Sequence, residues 1–219
     1  MMDENNGDEA SCAVIIMILL YLLLGFVTAF LGYLPPSMLN ITASKIRLQR
    51  SKAAAKQFVL GVALVVAIQL FIALLIVSYL KQAPSLLVIL KKVAVVVFVL
   101  ISLFFIYKGL SSKGSNHKEI KKNSFFLGLT LSLINMFAIP FFIVGYSYYS
   151  SQGYIMNDIV SLIIYTTGTI LGVYMALIAY VILANKYQYK LLEKVKFFNL
   201  FIGGTTGAVA CYSAIMLYF

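Results

Sequence analysis

The chain has 219 residues, 62% of them hydrophobic and 11% charged, with a formal net charge of +10. A soluble protein carries roughly 25% charged residues, so this composition excludes a soluble fold and predicts an all-α integral membrane protein. The basic residues are spread over short loops and form no isolated basic arm, which argues against nucleic acid as a partner and for a positive-inside membrane topology.

Residues 1–12 read as a polar acidic N-terminal tail. A secretory signal would need a basic start, so the first hydrophobic segment is expected to be retained. Residues 13–219 read as a single six-helix membrane domain, with hydrophobic segments at roughly Ala13–Ser44, Gln57–Leu80, Val93–Tyr107, Ser124–Tyr149, Ile159–Asn185 and Phe197–Phe219.

Segment 1 is unusual. Ala13 to Ser44 is 32 residues without a charge, interrupted by Pro35-Pro36, and Ser124 to Asn157 is another 34, containing Asn135 and Pro140. As straight helices these would be about 48 Å and about 51 Å long, against a hydrocarbon core of about 30 Å. Each must tilt steeply, break or fold back. Broken hydrophobic segments in corresponding places of two halves point to the binding site of a secondary transporter.

The loops set the orientation. Loop 1–2 carries Lys45, Arg47, Arg50, Lys52 and Lys56. Loop 3–4 carries Lys108, Lys113, Lys118, Lys121 and Lys122, and loop 5–6 carries Lys186, Lys190, Lys194 and Lys196. Loop 2–3 has Lys81, Lys91 and Lys92, and loop 4–5 has only Asp158. The three basic loops are therefore expected in the cytoplasm and both termini outside, in a multi-pass protein of the cytoplasmic (inner) membrane. Three segments per half is an odd number, so a repeat of about 13–110 and a repeat of about 124–219 would be inverted relative to one another, with helices 1 and 4 broken. Gly25 precedes Pro36, and Gly128 precedes Pro140, by nearly the same distance.

In segment 3, Pro84 suits a first helical turn. Lys91 and Lys92 are expected to snorkel to the outer interface; the sharper alternative has one of them attracting an anionic group in a vestibule. Segments 5 and 6 carry Thr166-Thr167-Gly168-Thr169, Gly172 and Gly203-Gly204-Thr205-Thr206-Gly207, small residues that favour close helix packing or a dimer face.

No Asp, Glu, His, Lys or Arg lies mid-segment. Proton pumps and many metal transporters need such groups, and hydrolytic catalysis needs paired acids or a Ser-His-Asp set. The expectation is therefore no enzyme, no metal and no cofactor. Cys12 and Cys211 form no C-x-x-C pair, and His117 stands alone in a lysine-rich loop. Polar chemistry is left to the backbone and neutral side chains at the breaks. Pro36 removes a donor and frees nearby backbone groups, which lipid cannot satisfy. Ser37 and Asn40 can either patch this kink or line a cavity. Asn135 can bond a neighbouring helix or bind solute. Gln69 reads as interhelical glue and Asp158 as an N-cap.

At the Pro motif the residues resemble a known family. Gly25-Phe26 followed by Pro35-Pro36-Ser37-Met38-Leu39 is similar to the first-helix signature of the lysine exporter (LysE-type) translocators. Val59-Leu60-Gly61-Val62-Ala63-Leu64 after a basic loop, Gly128-Leu129 and Leu133-Ile134-Asn135 look like its second and fourth helices. The chain departs from the pattern at Leu34, Pro35 and Ser37. After Asn135, Met136 and Phe137 replace Pro-Lys and the proline comes later, as Pro140, so the likeness is to a divergent branch. The resemblance implies export of amino acids or related metabolites, driven by an ion gradient, often as a homodimer. A half-helix N-terminus can hold a carboxylate and freed carbonyls an ammonium, which suits a small zwitterionic solute. On this reading Pro35, Pro36, Ser37 and Asn40 line one side of a substrate site, and Asn135 and Pro140 the other. The rivals are a membrane assembly or scaffold protein whose breaks only pack, and a transporter of an inorganic ion.

Overall fold

The computed structural model describes residues 4–82, 95–96, 98–100, 102–107, 109–110, 123–135, 137–156 and 158–218. All regular structure among them is helical. Among the described residues three helices are long and apolar enough to cross a membrane, over Ser11–Tyr33, Lys52–Leu80 and Ile159–Ala184. A pair bent by 65° makes a fourth if it is counted as one span. Leu19, Leu23, Leu64 and Phe71 on these helices are more than half exposed, a placement that suits lipid and is costly in water. The architecture is that of an all-helical membrane protein.

Helix α1 (Glu4–Tyr33) starts within the acidic stretch. It stops before Pro35-Pro36, since a residue preceding proline is driven out of helical geometry. Helix α2 (Met38–Gln49) follows, and α3 (Lys52–Gln82) begins after Ser51, whose hydroxyl accepts the Ala54 N–H at 3.0 Å. The basic connection expected over Lys45–Lys56 is thus almost entirely helix, because Lys, Arg and Gln propagate helices well. Helix α4 (Phe98–Tyr107) lies in segment 3. Pro84, Lys91, Lys92 and the lysine-rich stretch around His117 lie outside the described residues.

Segment 4 is α5 (Ser124–Ile134) and α6 (Ala138–Ser151). The break falls at Asn135–Phe137. Pro140 does not make it: it sits in the first turn of α6, where no intrahelical partner is required of its nitrogen. Segments 5 and 6 are one continuous helix, α7 (Ile159–Tyr218), where the sequence reading expected a basic loop. No glycine or proline occurs between Gly172 and Gly203, and nothing local interrupts the helix. Asp158 caps its start as expected, accepting the N–H groups of Val160 and Ser161 at 3.1 and 3.0 Å.

Two helix pairs form the core. In α1 and α7, Leu22 meets Gly168, Phe26 meets Gly172 and Leu34 meets Tyr180, so the two run parallel. In α3 and α5, Phe58 meets Gly128, Val62 meets Ser132 and Gln69 reaches Asn135, also parallel. The local geometry of the two pairs is the same. A Cβ on Gly25 would strike the carbonyl oxygen of Tyr165, three residues before Gly168, and one on Gly168 would strike that of Leu22, three before Gly25. Gly61 and Gly128 are related in the same way through Phe125 and Phe58. The buried faces of α3 and α7 agree as well: positions 58, 62, 66, 69, 70, 74 and 77 are buried, and so is each position 107 further on. Helix α1 runs antiparallel to α6, with Thr28 against Gly145 and Tyr149 and Gly32 against Phe141. Helix α4 runs antiparallel to the C-terminal part of α7, with Ser102 bonded to the Gly203 carbonyl at 2.7 Å and Gly109 against Leu200.

Candidate functional site at the two helix breaks

The first break is patched from within and from α7. The Asn40 side chain, fully buried, donates to the carbonyls of Tyr33 at 2.7 Å and Pro35 at 3.3 Å. The Ser37 hydroxyl donates to its Oδ1 at 2.6 Å and so fixes the amide orientation. The Tyr180 hydroxyl donates to the Leu34 carbonyl at 2.6 Å, and Ser44 ties the Tyr180 carbonyl to α2 at 3.2 Å. The three carbonyls around Pro35-Pro36 are thereby satisfied in a region where lipid offers nothing. Both amide hydrogens of Asn40 are spent on backbone. Pro36 is buried and Pro35 half-buried; their contribution is the break itself.

The second break is held from α3. Gln69 Nε2 donates to the carbonyls of Ser132 at 3.1 Å and Asn135 at 3.4 Å. The interhelical role expected of Gln69 is therefore present. Asn135 ends α5, its N–H turned back to the Ser132 carbonyl at 3.0 Å, and Ala138 begins α6. Neither half-helix that starts at a break has a side-chain cap: Ser37 before α2 and Phe137 before α6 make no such bond. At α6 this leaves the positive end of a helix dipole next to Asn135, whereas the start of α2, at Ser37 and Met38, is exposed.

Tyr33 joins the two breaks. Its carbonyl is held by Asn40, while its hydroxyl lies against the Asn135 side chain without reaching hydrogen-bond geometry. Asn40 and Asn135, expected on opposite sides of one site, are thus neighbours of the same tyrosine. Ser37 is exposed and Pro140 half-buried.

Sequence reasoning did not select Tyr33 or Tyr180, and it saw only half of Gln69. The carbonyls facing the Gln69 amide can only accept, so Nε2 must be the atom that meets them, and Oε1 is left pointing elsewhere. Gln69 is 5% exposed and Tyr33 7% exposed, and both Gln69 Oε1 and the Tyr33 hydroxyl are buried without a hydrogen-bond partner among the described residues, as is the Tyr165 hydroxyl. Such an atom costs about 1–3 kcal/mol, and two of them lie around one broken helix. A lone glutamine in the otherwise apolar stretch of segment 2 was the available signal.

No protein-family model, no curated relative and no solved structure matches the chain.

Proposed function

We propose that the chain is a secondary transporter that exports amino acids or related small zwitterionic metabolites across the cytoplasmic membrane by alternating access, as a divergent relative of the LysE-type translocators. The observation that carries this reading is the meeting of two broken helices at Tyr33 and Asn135, where the uncapped N-terminus of α6 and two unpartnered buried polar atoms come together. Broken helices of this kind bind substrate near the middle of a membrane. The rival in which the breaks only pack explains Asn40 and Tyr180, whose donated bonds go to backbone. It gives no reason for the orphaned atoms.

The proposal includes six spans in two inverted repeats. Exchange of segment 1 with 4 and segment 2 with 5 turns the α1–α7 pair into the α5–α3 pair, and the reciprocal glycine contacts of the two pairs support that exchange. Parallel packing of segments 1 and 5, and of 2 and 4, agrees with their parity. Antiparallel packing of α4 on the end of α7 is what third and sixth spans would make. A straight helix of α7's 60 residues would be about 90 Å long, so in a bilayer α7 must bend between Ala184 and Phe197. That bend sits in the cytoplasm, with both termini outside.

The test is gradient-driven uptake of labelled amino acids into everted vesicles. Uptake above that of vesicles without the protein supports export. No uptake across a broad panel, with the protein shown to be inserted, leaves the proposal without its function.

A further inference from the structure

Three buried side-chain atoms among the described residues lack a partner, the hydroxyls of Tyr33 and Tyr165 and Gln69 Oε1, and the two at Asn135 define more than a place. Resting on the transport reading above, we infer that Gln69 Oε1 and the Tyr33 hydroxyl are the solute contacts of the site, and that the solute they select is a zwitterion of zero net charge, not a basic amino acid.

Gln69 Oε1 is an acceptor and can take only a donor, because the two carbonyls on its other side fix the amide. The matching group on a solute is an ammonium. The Tyr33 phenol, beside the Asn135 side chain, makes no hydrogen bond among the described residues and can give its proton to a carboxylate. The uncapped N-terminus of α6 lies at the same break and adds a positive dipole end for that carboxylate. One charge of each sign is then met by neutral partners.

A second positive charge would have no counter-ion. The seven acidic residues of the chain are Asp3, Glu4, Asp8, Glu9, Glu119, Asp158 and Glu193, and none falls within the spans Ser11–Tyr33, Lys52–Leu80 or Ile159–Ala184 or the bent pair. Unpaired charge in such surroundings is strongly disfavoured. The two helix pairs add a further sign. The position 107 residues beyond Gln69 is Ala176, equally buried. The same packing position is thus filled without a polar group in one pair, and the amide in the other exceeds what packing asks for.

The experiment uses the full chain in proteoliposomes, with counterflow of leucine, threonine, lysine, glutamate and N-acetyl-leucine. Leucine or threonine should be carried at least tenfold faster than lysine, and N-acetyl-leucine, which lacks the ammonium, should not be carried. Tyr33→Phe removes only an unpartnered hydroxyl. It should keep or raise the melting temperature while lowering counterflow tenfold or more, a combination that a purely structural tyrosine would not give. Gln69→Glu places a carboxylate where the free acceptor stands and should shift the preference toward lysine. Wild-type rates in Tyr33→Phe together with unchanged preference in Gln69→Glu would overturn the assignment while transport stands. Lysine carried as fast as leucine by the wild type would overturn the neutral-solute conclusion. If the wild type carries nothing in the panel, the transport reading itself fails, and this inference with it.

Discussion

At the residue scale the fold depends on missing methyl groups. Gly25 and Gly168 let two helix backbones touch, as do Gly61 and Gly128, and any side chain there collides with a carbonyl oxygen that cannot yield without moving the helix. Gly25→Val should therefore destabilise the protein by about 1–3 kcal/mol, read as a lower unfolding midpoint in detergent. Gly204→Ala, where nothing lies within 4 Å, should leave that midpoint unchanged. Asn40→Ala strands the carbonyls of Tyr33 and Pro35 and should cost about 1–3 kcal/mol for each group left unmet. A midpoint equal to wild type would show that the break does not need the amide.

Asp158 supplies a pH signature at the same scale. The Ser161 hydroxyl, and then the Ser161 backbone N–H, hold its carboxyl below the usual carboxylate range. Its folded pKa is lower than its unfolded one, about 3.9. The stabilisation is therefore complete above that value and is lost as pH falls through the folded pKa. In thermal melts across pH, the advantage of wild type over Asp158→Asn should be constant near neutrality and close in the acid range. A gap that persists at the acid end would mean that the carboxylate is not the cap.

At the element scale, helix identity was largely legible and helix boundaries were not. Pro35-Pro36 interrupts a helix by local sterics, so the break between α1 and α2 could be read from sequence. The second break could be placed only loosely, because Pro140 tolerates a first helical turn and the chain turns at Asn135 instead. The basic stretch from Lys186 to Lys196 looked like a loop because charge marks the membrane boundary. Charge does not end a helix, and α7 runs through it. The proposed bend in α7 predicts that, with Cys12 and Cys211 replaced by serine, Lys190→Cys reacts with an impermeant maleimide in everted vesicles and not in intact cells. Labelling from outside alone would remove the six-span arrangement.

At the scale of the whole molecule, the two parallel helix pairs and the broken helices between them give a body whose breaks meet at one residue, Tyr33. Alternating access would need one repeat to rock against the other around that point. Thr28 and Tyr149 bond at 2.7 Å across α1 and α6, on one side of it, and Arg50 and Ser124 bond at 3.0 Å across α2 and α5, on the other. If these contacts close opposite sides, Thr28→Val should leave solute binding within about twofold while changing the rate of counterflow. No change in rate would exclude that bond as a gate.

Composition and residue order alone determine that this is an all-helical membrane protein, that its apolar segments carry no carboxylate, and that a helix breaks at Pro35-Pro36, because hydropathy and proline sterics act locally. Only the tertiary structure decides what those breaks do. Asn40 and Tyr180 are spent on backbone, and Pro140 continues a helix. Tyr33 and Gln69, 36 residues apart in the chain, are left with unpartnered atoms at Asn135. Which polar atoms stay unpaired depends on how parallel helices dock, and that docking is set by contacts between distant glycines that no local pattern encodes.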